Sequence, residues 1–446
     1  MSDIEAFVVE SMKKHKIVGS AVTILNSQEV LLQKSYGHTS VGGSPVTIHT
    51  PFNIGSMTKS FTGLAILQMA DNDILSLDDL VIEHIPDFST RTKERSDQIT
   101  IRHLLNHNSG FTQLQGNRTQ SSEYNDSDAL SYAVADYQQI SLRYQPGEHY
   151  EYSNSNYQIL GLLIERLTNQ PYDAYLIEHL LEPLGMSDSG FIPTQETAVP
   201  HRYFAGIRSA YKTGVARTII AQGGLYTSIA DIHKYLRAML TQDTTLVSTE
   251  GYEAIFDGSE SGIAKFGFAG WRLRAIEKDG EQVNVYWHGG SNPGILASMF
   301  IIPDRDISIA ILSNTNSDFA MYSSWPLCFG PVNMLVGVSP PQSSSLIGIL
   351  LTLSWFIPLI LIIMIIRRAY RPHPSMSRTK LGVLTVITFC MSYLLIQYIP
   401  THMGNVYWKT VYQFEPETGL ILMVTTVLTI VLMLVNWGQY LRTKIF

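Results

Sequence analysis

Charge is what this sequence has least of. Asp, Glu, Lys and Arg make up 15% of its 446 residues, against 45% hydrophobic. That share is low for a soluble protein. Cysteine is nearly absent too, with only Cys328 and Cys390. Cys390 sits inside an apolar run, so a bridge between the two is not expected and a disulfide framework is excluded. A basic face is also missing. After residue 340 there are eight basic residues and two acidic ones; the first 340 residues therefore hold 23 basic against 36 acidic, about −13. Phosphate backbones need a basic surface, so nucleic acid is excluded as a partner.

Three stretches near the C-terminus lack charge altogether: Ser345–Ile366, Leu381–Ile399 and Thr418–Tyr440. Crossing a bilayer takes roughly 20 such residues. The sequence thus predicts a globular domain over 1–338 and a membrane domain over 339–446, with spans at about 345–366, 381–399 and 418–440. The segment between the first two spans, 367–380, carries five basic residues and no acid. The positive-inside rule puts that loop and the C-terminus in the cytoplasm of a bacterial inner or plasma membrane, and residues 1–340 outside. Export calls for a leader. The opening residues have no signal pattern and read as an amphipathic helix (Ile4, Phe7, Val8, Met12) running into a strand. A trimmed leader, a start set too late in the sequence, or the opposite orientation would each reconcile this.

Within the globular part both ends are rich in strand patterns. Val18–Leu25 and Glu29–Tyr36 form one expected pair. Phe268–Ile276, Gln282–Trp287, Leu296–Ile302 and Ile307–Leu312 follow near the far end. Their turns are placed at Asp279-Gly280, at Gly289-Gly290 with Pro293-Gly294, and at Pro303–Asp306. The middle, roughly 58–240, is mostly helical, with helical periodicity over Gly63–Asn72 and Tyr157–Thr168. The expected fold is α/β (α+β): an antiparallel sheet drawn from both chain ends, flanked by helices, with a large helical insert, followed by three transmembrane helices.

The motif that suggests chemistry is Ser56-Met57-Thr58-Lys59. S-x-x-K is weak alone, for the chain repeats it at Ser11/Lys14, Ser209/Lys212 and Ser377/Lys380. Context separates them. Ser56 opens a helix with apolar next turns, where the helix field favours a developing oxyanion. Lys59, one turn on, faces the same way, and in a closed apolar pocket it can take the serine proton.

Around these residues the sequence resembles the class C β-lactamase and penicillin-binding-protein family. The likeness runs through Phe52–Val81, Ile99–Phe111, Tyr144–Tyr172, Gly223–Leu236 and Trp287–Ser317, in the family's order. It implies a serine peptidase or amidase of β-lactamase/DD-peptidase-like fold that needs no cofactor and no metal. Ser56 would be the nucleophile, with Lys59 and Tyr152 handling protons. Tyr152-Ser153-Asn154 is similar to the family's Tyr-x-Asn, and His288-Gly289-Gly290 stands in place of its Lys-Thr-Gly. By the same resemblance Asn154, His288, Gly290, Ser291 and Asn292 bind substrate, with the backbone N–H groups of Ser56 and Ser291 forming the oxyanion hole. An ammonium on Lys59 is expected to lower the Tyr152 pKa. Histidine at 288 is a departure, since it holds a substrate carboxylate weakly at pH 7.

The implied substrate is a small peptide or acyl-peptide with an amide next to a D-amino acid; the oligomeric state is open. The three spans and His288–Pro293 resemble prodrug-activating peptidases of the colibactin-maturing type, which remove an acyl–D-asparagine cap. There Asn292 is the expected partner of the cap amide, and the bilayer would gather an acyl tail. A cell-wall DD-carboxypeptidase or β-lactamase-related hydrolase is a second reading, and a non-catalytic wall-binding or sensor protein a third. His103 and His107, four apart on an expected helix, are the one zinc-like pair. They lack the glutamate and third ligand that a metalloprotease needs.

Overall fold

A computed structural model of the chain describes all residues except 119–124, 205–206, 212–215, 258–267, 279, 317–323, 342–352, 371–376, 404–405 and 446. It divides into two compact units. One holds Met1–Arg202, Arg208–Asn316 and Tyr322–Gln342; the other holds Tyr203–Ile207, Ser317–Met321 and Ser343–Phe446.

The first unit is built on a six-stranded antiparallel sheet. Helix α1 (Ser2–Lys14) leads into β1 (Gly19–Leu25) and β2 (Val30–Gly37). The sheet is completed from the far end of the chain by β3 (Arg272–Lys278), β4 (Glu281–Asn292), β5 (Ile295–Ile302) and β6 (Ile307–Ser313). Their order across the sheet is β2-β1-β6-β5-β4-β3. The sequence expectation of one sheet drawn from both ends is what the chain forms.

Alternation along the central strands sorts their side chains to two cores. Val22, Ile24, Phe300, Ile309 and Ile311 face α1 and the helix Trp325–Leu335. Ala21, Leu25, Met299, Ile301, Ala310 and Leu312 face the helical insert. Covered on both faces, β1 is buried at all seven positions, which is why it reads as a continuous apolar run. The insert carries the two helices that matter to the site, α2 (Thr58–Asp71) and α3 (Asn154–Thr168). Both start earlier than the periodicity predicts, because their polar first turns belong to the site.

Two strand expectations need correction. The strand predicted from Phe268 begins only at Arg272. Ala269 and Gly270 take positive φ, 49° and 82°, and break the extended chain. A β-carbon on Gly270 would stand 2.5 Å from the Lys59 carbonyl carbon and the Ser60 nitrogen; this turn lies flat on the backbone of α2. The strand predicted to stop at Trp287 runs on to Asn292. Gly289-Gly290 is not a turn: it pairs with Ser298 and Ala297 of β5, and the chain reverses only at Pro293-Gly294. Glycine marks a close approach here, not a bend.

The second unit is helical. Phe356–Tyr370 and Arg378–Tyr393 both pack on Pro416–Ile445. Arg368 Nε donates to Asn436 Oδ1 at 2.7 Å and Trp437 Nε1 to Thr385 Oγ1 at 2.8 Å. Among the described residues two helices are long and apolar enough to cross a membrane, Arg378–Tyr398 and Pro416–Arg442, with mean hydropathies of 1.7 and 2.5. They correspond to the second and third expected spans. The first expected span lies partly outside the described residues; its described part includes the 15-residue helix Phe356–Tyr370. Cys328 is buried and Cys390 exposed, both as free thiols.

Candidate active site

Residues 51–67 are buried at every position but one, and the exception is Ser56. The chain enters through Phe52-Asn53, paired with Tyr226-Thr227. It makes a tight turn over Gly55–Met57 and then continues as α2. Asn53 Oδ1 accepts from Gly55 N at 3.1 Å, and Thr58 Oγ1 donates to Gly55 O at 2.7 Å. The turn is thus fixed from both sides, and the Ser56 side chain stands out of it.

Lys59 Nζ lies 3.1 Å from Ser56 Oγ and 2.8 Å from the Gln222 carbonyl oxygen. The lysine is fully enclosed, 0% exposed, and no carboxylate pairs with it among the described residues. Burial pushes its pKa well below the ordinary lysine value, and the nearby Arg272 guanidinium pushes it further down. Tyr152 hydrogen-bonds the same serine, and its ring lies 5.2 Å from Lys59 Nζ. Burial raises the Tyr152 pKa; the Ser56 hydrogen bond, then Arg272, oppose the rise. The expectation of a tyrosine acidified by a lysine ammonium is therefore not met: burial outweighs the groups that lower the Tyr152 pKa, and Lys59 is not one of them. Ser56, Lys59 and Tyr152 come together with the lysine pKa lowered and the tyrosine pKa raised.

The strand edge closes the other side. Gly290 packs so tightly that a β-carbon there would stand 1.7 Å from the Ile54 carbonyl oxygen, and a β-carbon on Gly55 would stand 2.9 Å from Ser291 N. Only glycine admits this contact between β4 and the nucleophile turn. Ser291 Oγ accepts from Asn316 Nδ2 at 3.1 Å. His288 is 4% exposed, and its ring lies 6.3 Å from that of Tyr152. Its Nδ1 contacts the Gly289 carbonyl at 2.7 Å. Burial, Arg272 and Lys59 hold it well below the usual histidine pKa, so it brings no positive charge.

Two expected substrate contacts are differently engaged. Asn292 Nδ2 donates to Asn53 Oδ1 at 2.7 Å and to Gly223 O at 3.3 Å; both its amide protons tie β4 to the nucleophile segment. Asn154 heads α3 and donates to Asn117 Oδ1 at 3.0 Å, not to a group on Lys59. Its own Oδ1 is buried without a hydrogen-bond partner among the described residues, as is Gln222 Oε1.

The sequence reading missed Arg272. Its guanidinium carbon lies 5.0 Å from the Tyr152 ring centroid and 5.4 Å from that of Trp287, and it hydrogen-bonds Tyr150. The signal was present: the turn expected from Asp279-Gly280 sets a register, and the strands pair Arg272 with Trp287, next to His288. The histidine pair also reads differently. The helix of His103 ends at Leu105, and His107 lies beyond it at φ +55°. The Nδ1 of each accepts a backbone N–H, from Thr100 and Ser153. They share no helix face.

Such a fold, with a serine so placed, defines a serine hydrolase. The chain belongs to the β-lactamase family, whose model matches residues 4–325. Protein flp of Staphylococcus aureus strain NCTC 8325 is 26% identical over 333 residues, 71% of this chain and 63% of flp, so the chain spans less than two thirds of that relative's length. Flp of strain MW2 aligns at 25% identity over 470 residues, covering 99% of this chain and 91% of flp. Among solved structures, the octameric penicillin-binding protein homologue from Pyrococcus abyssi has a TM-score of 0.62 at 26% identity, over 76% of this chain and 78% of that one. The D-amino acid amidase from Ochrobactrum anthropi SV3 shares the fold, with a TM-score of 0.60 at 20% identity over 75% and 97%.

Proposed function

We propose that the chain hydrolyses an amide beside a D-configured residue through an acyl-enzyme on Ser56, and that its apolar C-terminal helices anchor it in a bilayer. The observation that carries this reading is Lys59 Nζ, free of any carboxylate among the described residues, 3.1 Å from the one half-buried side chain in an otherwise buried segment. The amine of Lys59, its pKa lowered by burial, takes the Ser56 proton as Oγ bonds to the substrate carbonyl carbon. The oxyanion so formed lies against the N–H groups of Ser56 and Ser291. Tyr152 gives its hydroxyl proton to the departing nitrogen, the C–N bond breaks, and Lys59 returns a proton to Tyr152. Water then attacks the ester with the same pair as base. The buried acceptors Asn154 Oδ1 and Gln222 Oε1 suit the N–H groups of a peptide-like substrate.

A carboxypeptidase form of this reading is favoured by Arg272. With His288 neutral, Arg272 is the charged group facing Tyr152, and a guanidinium binds a terminal carboxylate well. In the acyl–D-asparagine cap reading both amide protons of Asn292 are engaged, so Asn292 would meet the cap amide through its Oδ1 as an acceptor.

The test uses detergent-solubilised full chain. A fluorophosphonate is expected to label wild type and to leave Ser56→Ala unlabelled. Acyl–D-Ala–D-Ala, a D-aminoacyl amide, myristoyl–D-Asn amide and the L-isomers are then compared. Undiminished labelling of Ser56→Ala, or faster cleavage of the L-isomers, overturns the reading. An outward-facing catalytic unit further requires that a reporter fused after Phe446 be active only in the cytoplasm.

A further inference from the structure

One residue grips the chain on both sides of Tyr152. The carbonyl of His107 accepts from Glu151 N at 2.9 Å, and its Nδ1 accepts from Ser153 N at 3.2 Å. Between these two anchors the imidazole lies against the Tyr152 ring, centroids 4.5 Å apart. The grip depends on a backbone that side chains rarely adopt: φ of +55° turns the carbonyl and the ring of His107 toward the same segment. The ring is itself fixed. Asn156, in the first turn of α3, donates its amide to Nδ1 at 3.0 Å, and Ser109 Oγ holds the Asn156 carbonyl oxygen at 2.6 Å. Two donors at Nδ1 leave it unprotonated, so the ring proton sits on Nε2. The side chain is 6% exposed, and burial holds its pKa well below the ordinary histidine value.

We infer that His107 is a positioning residue for Tyr152: it clamps residues 151 and 153 and backs the tyrosine ring, so that the hydroxyl is held at Ser56. This rests on the reading of Tyr152 given above. His107 has no part in proton transfer to substrate. A shift of the hydroxyl by about 1 Å is enough to cost on the order of 100-fold in rate.

The experiment measures the single-turnover rate of Ser56 modification, phosphonylation by a fluorophosphonate with loss of fluoride and acylation by an acyl–D-Ala–D-Ala ester, in full-length protein. His107→Gly removes the ring but accepts the positive φ and keeps the carbonyl anchor. It is expected to slow acylation about 100-fold. His107→Asn, whose Oδ1 stands where Nδ1 stood and which tolerates positive φ, is expected to recover to within tenfold of wild type, as is His107→Gly in added imidazole. In a Tyr152→Phe background His107→Gly should cost less than threefold more, because the two act as a unit. Full additivity of the two losses, or failure of both rescues, overturns the inference. If Tyr152→Phe itself is as fast as wild type, the role of Tyr152 fails; if Tyr152→Phe is slow and His107→Gly is not, only this inference fails. Should His107→Gly not fold by circular dichroism, His107→Asn is compared with His107→Gln, which moves the acceptor away from Ser153. Asn is expected to be fast and Gln slow, and equal rates overturn the proposal.

Discussion

Ser56-Met57-Thr58-Lys59 and Ser377-Arg378-Thr379-Lys380 share a pattern and little else. At Ser377 the hydroxyl oxygen caps its helix, accepting from Lys380 N at 3.3 Å, and serine and lysine are both exposed. At Ser56 the hydroxyl is turned away from that task. Three features bring this about. The turn over Gly55–Met57 lifts the serine clear of the helix start, the Ala269-Gly270 turn lies on the backbone at Lys59, and the Gln222 carbonyl accepts from the amine. An exposed lysine keeps its proton; an enclosed one without a counter-ion sheds it. The chemistry therefore lies in the enclosure, which no four-residue pattern encodes.

The comparison can be broken most directly at the serines. Ser56→Ala should reduce turnover by at least about 10⁴-fold, while Ser377→Ala should leave it within twofold; equal effects would dissolve the distinction. Next come the lysines. Lys59→Ala should cost on the order of 10³-fold and Lys380→Ala nothing measurable. Combining Lys59→Ala with Tyr152→Phe should add far less than the product of the single losses.

A subtler probe is pH. The Lys59 pKa is held low by burial first and by Arg272 second. The free amine is lost as pH falls through that lowered value, which gives kcat/KM its acid limb. Arg272→Gln removes a positive charge, so the pKa rises and the limb moves to higher pH by up to about one unit. A shift to lower pH would refute the assignment. Smallest of all is the cap: Ser377→Ala should weaken its helix by about 1 kcal/mol or less, read as faster hydrogen exchange at residues 378–381 with turnover unchanged.

Much of this was legible in the chain itself. Apolar alternation placed five of the six sheet strands to within one residue at their N-terminal ends, and the ordered segments around Ser56, Tyr152 and His288 come together in one place. What escaped did so for physical reasons. Gly289-Gly290 read as a turn because glycine marks both reversal and close approach, and only the Ile54 carbonyl against Gly290 tells which. Asn292 read as a substrate donor because its partners, Asn53 and Gly223, are 239 and 69 residues away. His107 read as one helix face with His103 because nothing in Asn106-His107 announces a left-handed residue. Arg272 was recoverable from the hairpin register alone.

The pairing of β1 with β6 bears on how the chain can be made. Ser20 lies opposite Ser313, and Gly19 N donates to Asn314 Oδ1 at 2.7 Å. This interior strand, one in from the edge of the sheet, thus waits through almost three hundred residues of synthesis for one of its two neighbours. Until β6 emerges, Val22 and Ile24 line an unpaired edge, open to association with other chains. Contacts this distant along the chain make for slow closure. A nascent chain in this condition stays extensible, able to pass a narrow channel and at risk of aggregation, until its last strand is delivered.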